Sequence, residues 1–461
     1  MPIVTTPLLP AADAAAATWV SGVREEMAVL HTRVGDDAGR VEALRALEEL
    51  KSAAAAAQAR ITAAFATSQR AEQAAAGVPA ARRGRGVGSQ VGLARRESPH
   101  RGQVHLGLAG VLVGEMPHTL ARMTDGLVTE FQATLLARET AVLTAEQRAL
   151  VDEKLCADPA TLDGLGDRGI AAAARRLGQK LDPAAAVRRA ARAASDRRVT
   201  TRPMPDTMVQ VSALLPVAQG VAVFAALKRA ADSAQAGGDP RGRGQVMADT
   251  LVERVTGQVV ADAVPVAVHL VGAGGSFFGG TGFAGAAGDD LHEPVLLPGY
   301  GTVPAAWARD LLVTAAAHDD SRLASWIRRI VTDPRSGAVV AMSSTQRGFP
   351  EQLADLVAVR DAGICRTPWC DAPIRHSDHV VAVAEGGPTS EENAQGLCAA
   401  CNWAKEAPGW TARPRPGPAS GSGRHEVVTT TPTGHEHASS APRLPGARWP
   451  VRIAVDYVAA A

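Results

Sequence analysis

The chain has 461 residues, long enough for two or three domains and a sizeable core. Its 48 basic and 47 acidic residues leave a formal net charge of +1, which excludes a uniformly basic nucleic-acid-coating protein and confines any nucleic-acid surface to a local patch. The N-terminal stretch MPIVTTPLLPAADAAAATW has no basic start followed by an apolar core, and no uncharged apolar run reaches about 18 residues. The expectation is a cytoplasmic protein that does not engage a membrane.

A Pro- and Ala-rich lead over residues 1–17 precedes what reads as a mostly helical domain over 18–340. Between 41 and 76, apolar side chains at Val41, Leu44, Leu47, Leu50, Ala54, Ile61 and Phe65 recur mostly every three to four residues, which predicts one face of a long helix ended by Gly77 and Pro79. The next stretch, ARRGRGVGSQVGLARRESPHRG, clusters Arg82, Arg83, Arg85, Arg95, Arg96 and Arg101 with glycines and few acids. It reads either as a solvated loop and helix start or as a phosphate-contacting surface.

Short helices follow to about 194, marked by Pro117, Gly126, a Thr144-x-x-Gln147 capping box and Asp182-Pro183. Cys156, on one of them, reads as a small buried apolar residue. VTTRP and MVQVSALLP alternate and are β-branched, predicting one or two strands, and helices resume over 217–234 and 245–255. Residues 264–271 fit a buried strand before the Gly-rich GAGGSFFGGTGFAGAAGDD, which lacks a following Lys-Ser/Thr and so makes a weak phosphate cradle. Residues 303–316 read as a helix, 326–344 as a hairpin turning at Pro334 to Gly337, and 350–360 as a short helix. After Trp410, a Pro-, Gly-, Ser- and Thr-rich segment over 411–461 reads as a disordered tail.

The chemistry concentrates in CRTPWCDAPIRHSDHVVAVAEGGPTSEENAQGLCAACNWAK, residues 365–405. Cys365 and Cys370 form one close pair, Cys398 and Cys401 another. Four thiolates in two pairs predict a tetrahedral structural Zn²⁺ site that supplies folding energy to a module over 345–410 too small for a large core. The zinc has no use for the Asp378-His379 dipeptide between the pairs, so that pair reads as a hydrolytic centre. The two asparagines of the whole chain, Asn393 and Asn402, both fall in this stretch. Alternation over 375–383 predicts a strand, Gly386-Gly387 a turn, and Cys398 the start of a helix. His376 reads as structural, and Trp403 and Trp410 as packing beneath the zinc.

This stretch resembles the HNH endonucleases, the ββα-metal fold in its four-cysteine form. ARRESPHRG, EMPHTLARMTDG, LPGYGTVP and the Arg-Asp before the first cysteine also resemble the actinobacterial 13E12 repeat family, in which a helical domain of unknown function precedes the nuclease module. The implied architecture is α+β: a mostly helical N-terminal domain with a few strands, then the zinc-stabilised ββα module. The resemblance implies metal-dependent cleavage of DNA, with His379 as general base, Asp378 as ligand of a catalytic Mg²⁺ or Mn²⁺, Asn393 as the residue that pins the loop, and Asn402 at the third motif position. Lys405 corresponds to a phosphate-contacting cation, and Arg82, Arg83, Arg85, Arg95 and Arg96 are candidates for further nucleic-acid contacts. Asn402 stands where the family usually has His. An amide oxygen is a harder ligand, which favours Mg²⁺ and leaves open a module that binds DNA without cutting it. A third reading, a zinc knob for protein contacts, leaves the Asp-His pair unexplained.

Overall fold

The computed structural model describes residues 11–259, 261, 268–273, 292–297, 300–317, 324–329, 343–344, 348–415, 424–443 and 450–456. Helices α1 (Ala11–Val29), α2 (Asp37–Ala75), α3 (Val87–Arg95), α4 (Pro99–Glu115), α5 (Pro117–Thr124), α6 (Glu130–Glu139), α7 (Ala145–Cys156), α8 (Asp167–Leu181) and α9 (Pro183–Ser195) precede the antiparallel pair β1 (Arg198–Met204) and β2 (Met208–Leu214). Next come α10 (Val217–Ala236), α11 (Arg243–Thr256), β3 (Val268–Ala273), β4 (Val295–Leu297), β5 (Gly301–Val303), α12 (Ala305–Ala317), β6 (Ala324–Arg329) and β7 (Ser343–Ser344). The C-terminal part contains α13 (Glu351–Arg360), β8 (His376–His379), β9 (Thr389–Ser390), β10 (Ala394–Leu397), α14 (Ala399–Lys405), β11 (Thr411–Arg415), β12 (Glu426–Thr430), β13 (Glu436–Ser440) and β14 (Pro450–Asp456). The class is α+β, mostly helical at the N-terminal side, with small sheets beyond. Among the described residues, no helix is long and apolar enough to cross a membrane. The Gly-rich stretch from 274 on and the turn at Pro334 to Gly337 lie outside the described residues.

The chain divides into two compact units, Met1–Ala64 with Leu108–Ala186, and Phe65–Gly107 with Val187–Ala461. The boundary expected at 340 runs through the second. In the first unit, Leu112, Met116, Met123, Leu136, Val151 and Ile170 fill a helical core. On α8 the buried Ile170, Ala174 and Gly178 recur every four residues, one stripe of an amphipathic helix. The capping box at Thr144 and Gln147 is present, and a second one joins Thr129 to Gln132. Helix α5 begins at Pro117 without a cap of its own. The buried Asp152 carboxylate of α7 serves instead, accepting from His118 N at 2.7 Å and Thr119 N at 2.8 Å. Burial pushes the neighbouring Cys156 thiol up to about 11, so it stays an unreactive packing group.

Helix α2 forms where expected but buries a different face. Val41, Leu44, Leu50 and Ile61 are exposed, whereas Ser52, Ala56, Thr62, Ala66, Gln69 and Gln73 are buried. Small side chains let neighbouring backbones approach closely, and the buried glutamines are hydrogen-bonded: Gln73 Nε2 donates to Arg85 O at 3.2 Å, and Gln90 Nε2 to Gln69 Oε1 at 3.1 Å.

In the second unit, the segment read as a solvated loop and helix start is a helical hairpin. A Cβ on Gly102 of α4 would sit 2.1 Å from Gly88 O and 2.4 Å from Gly92 N of α3, so the two helices touch backbone to backbone. Gly102→Ala should therefore lower stability by about 2 kcal/mol or more, since neither obstacle is a side chain that can turn away. A thermal melt showing an unchanged midpoint would contradict this packing.

The segment after Trp410 is not the disordered tail its composition implies. Strands β11, β12 and β13 form an antiparallel sheet with Val427 and Val428 buried, and β14 pairs with both β3 and β6 in a sheet of order β5-β4-β3-β14-β6. Part of the first sheet's order comes from a partner elsewhere in the chain. The buried Arg366 donates from Nη2 to the carbonyls of His425 at 3.2 Å and Ser439 at 2.6 Å, which fastens the strands together.

Candidate active site and metal centre

The cysteines are held by a short knuckle, a two-stranded ribbon and a helix start. Cys365 N donates to Ala372 O, closing the knuckle, and β8 pairs with β10 in the register His376↔Leu397 to His379↔Ala394. Cys398 then takes the N-cap position of α14, its Sγ accepting from Cys401 N at 3.5 Å. All four cysteines are buried, and their sulfurs lie within 4.8 Å of one another, with Cys370 to Cys398 at 3.8 Å and Cys401 to Cys370 at 3.6 Å. A tetrahedral zinc with Zn–S bonds of about 2.3 Å spaces its sulfurs by roughly 3.8 Å, so the cluster fits that ion. Hydrogen bonds among the four sulfurs split their titration: Cys365, bonded by Cys370, is held down at about 7 and Cys398 is pulled strongly down, while Cys370 and Cys401 are pushed strongly up. Among the described residues, no other set of three or more His, Cys, Asp or Glu side chains lies close enough to hold an ion.

A buried ionic cluster fixes the ribbon to α13. The Arg360 guanidinium bonds Asp361 at 2.9 and 3.1 Å, Glu391 Oε1 at 2.8 Å, and the carbonyls of Glu391 and Ala394 at 2.7 Å each. Asp361 also accepts from Gly396 N at 2.8 Å. Every N–H of a charged group removed from water needs such a partner, and here two carboxylates and two carbonyls supply them, one of the carbonyls being Ala394 O of β10. The Arg-Asp before the first cysteine thus sets the position of the strand opposite Asp378 and His379.

The strand carrying Asp378 and His379 is shorter than the alternation predicts. It ends at His379, and Val383–Glu385 form a turn of 3₁₀ helix. Asn393 holds the loop between them: its Oδ1 accepts from Val381 N at 2.9 Å, and its Nδ2 donates to Val381 O at 3.0 Å and Pro388 O at 2.8 Å. A Cβ on Gly387 would lie 1.9 Å from Val381 O, which is why only glycine serves at this crossing. The loop brings Thr389 to His379, with Oγ1 2.9 Å from Nε2, and the Phe349 ring lies 4.4 Å from the imidazole. Burial lowers the His379 pKa below the usual imidazole value; Lys405 adds to the fall, and Asp378 opposes both.

Lys405, at the C-terminal end of α14, reaches back to β8. Its Nζ lies 2.5 Å from Asp378 Oδ2 and also donates to the His379 carbonyl. Gln395 adds a contact at 3.4 Å to the same carboxylate oxygen. Asn402 is half-buried one turn before Lys405, and positions three apart share a helix face. The structure thus brings together Asp378, His379, Lys405 and the Asn393 clamp.

Residues 365–407 match the HNH endonuclease family. This stretch is an HNH endonuclease domain. Among curated proteins and solved structures, no match to the chain is found.

The tryptophans around the HNH domain depart from the sequence expectation. Trp403 is exposed, and Trp410 lies against Gly86, so neither packs beneath the cysteines as expected. His376 is exposed on β8. Of the arginines, Arg85 contacts α14: its Nε donates to Trp403 O at 2.7 Å and its guanidinium lies 5.1 Å from the indole centroid. Arg83 is tied to Val78 O at 2.9 Å, Arg82 and Arg96 are exposed, and Arg95 is half-buried. Thr389, Phe349 and Gln395 carry no signal in the sequence. No spacing rule links them to His379 or Asp378, and only the folded loop and the strand register make them neighbours.

Proposed function

We propose that the chain is a metal-dependent endonuclease that hydrolyses phosphodiester bonds in DNA. The observation that carries this reading is His379, desolvated beside a carboxylate and hydrogen-bonded at one ring nitrogen, inside a domain of nuclease type. A neutral imidazole that donates from Nε2 to the Thr389 hydroxyl keeps Nδ1 unprotonated, the lone pair a general base needs to take a proton from water. Asn393 acts at a distance, by fixing the loop that carries Thr389. The cysteines hold a structural Zn²⁺. Asp378 and Asn402 offer a carboxylate and an amide oxygen, a hard donor pair suited to Mg²⁺ or Mn²⁺ completed by substrate phosphate. Such an ion would stabilise charge on the scissile phosphate and the leaving oxygen. The HNH domain is read as part of a 13E12-type cytoplasmic protein, on the residues quoted above.

A second reading, a zinc-stabilised protein that binds DNA without cutting it, draws support from one contact. The Lys405 ammonium already sits on Asp378, where a divalent ion would have to displace it or share the carboxylate's other oxygen. Asp378→Ala separates the readings. In an endonuclease it should raise the Mg²⁺ concentration needed for half-maximal plasmid nicking by about tenfold or more, with Mn²⁺ restoring part of the activity, while zinc content holds. Nicking with an unchanged metal requirement would remove Asp378 as a ligand.

A further inference from the structure

The helix that carries Asn402 and Lys405 also carries Trp403, which is 69% exposed. An indole left open beside a cleavage site invites a partner, and the structure shows what has been built next to it. Arg85, from 318 residues upstream in sequence, lays its guanidinium over the ring and anchors Nε on the Trp403 carbonyl. Its own backbone is fixed. Gly84 and Gly86 on either side are left-handed, at φ +87° and +80°, and the buried Gln73 grips the turn, accepting from Gly84 N at 2.5 Å and donating to Arg85 O. Among the described residues, no bond is seen at Arg85 Nη1 or Nη2. Bracing α14 does not need this arginine, because the fit of Gly86 against Trp410 and Ala407 already joins the two segments, and a Cβ on Gly86 would lie 2.5 Å from the Trp410 indole nitrogen. An exposed cation–π pair adds little stability of its own.

We propose that Arg85 and Trp403 form a DNA-binding platform at the shoulder of the active site, which extends the nuclease reading and rests on it. Arg85 turns its two terminal amino groups to a backbone phosphate of the substrate, and Trp403 offers its open side to the adjoining sugar or base. The fork of an anchored guanidinium suits phosphate, and an aromatic face accepts any base, so the platform contributes affinity without sequence preference. The region preceding the HNH domain thereby supplies a residue to substrate binding.

The test is a salt series of duplex-oligonucleotide binding, followed by fluorescence anisotropy, in a His379→Ala background that leaves the DNA intact. Arg85→Ala should weaken binding by about tenfold or more at low salt and reduce the slope of log K against log salt by about 0.9, equally for unrelated duplexes. Arg85→Lys should restore the slope. Arg85→Gln, whose amide can still donate to the Trp403 carbonyl, should keep the melting temperature and zinc content yet show the reduced slope; it covers the case in which the alanine variant fails to fold. Trp403→Ala should weaken binding with the slope unchanged. A slope in Arg85→Gln equal to the parent's would overturn the platform while leaving the nuclease reading intact. A parent that neither binds nor cuts DNA would overturn both.

Discussion

Replacing Cys398 and Cys401 together by serine is expected to empty the chain of zinc and unfold its HNH domain, while the helical core of the first unit persists. The apolar cluster of this domain around the metal site consists of the four cysteines with Leu397 and Ala372, so there is little hydrophobic burial to replace the metal. Structural zinc sites contribute on the order of 10 kcal/mol to such modules, and Cys398 is also the residue that caps α14. Metal analysis should fall from one zinc per chain to none. Far-UV circular dichroism should change modestly, because the core around Leu112, Met123 and Leu136 contains no metal ligand. Zinc retained after the double substitution would show that the cluster is not its site.

The cysteine cluster is legible in the sequence because its chemistry is local: residue type and spacing already say which sulfurs can converge. The buried face of α2 is not. Its large apolar residues suggest one stripe, but the helix buries Ala, Ser, Thr and hydrogen-bonded Gln and leaves Leu44 and Ile61 in solvent. Glycines 88, 92 and 102 read as part of a solvated loop and helix start because nothing in one sequence shows which glycines meet across two helices. The strands after Trp410 are hidden in the sequence for a related reason. Their Ser-, Thr- and Pro-rich composition lacks apolar residues enough to predict a core, and part of their order comes from carbonyls donated to by Arg366, a residue more than 50 positions upstream. Arg85 stands out in the sequence as basic, yet its seat on Trp403 depends on a contact that spans most of the chain.

The second large effect concerns His379. His379→Ala should lower nicking by about 10²–10⁴-fold, the usual loss on removing a general base. Zinc content and melting temperature should hold, because the ring is only half-buried and the Asn393 clamp makes its hydrogen bonds to Val381 and Pro388 rather than to it. Divalent-ion affinity should remain near the parent's, in contrast to Asp378→Ala. Thr389→Val, which deletes the partner of Nε2, should cause a smaller loss of the same kind.

The most direct measurement is conversion of supercoiled plasmid to open circle by the purified chain in Mg²⁺ or Mn²⁺, run beside His379→Ala prepared in the same way. The account predicts metal-dependent nicking by the parent and its near-complete loss in the variant, with zinc content equal in both. A variant that nicks as fast as the parent, or a parent that binds the plasmid and leaves it supercoiled at every metal concentration, would contradict it.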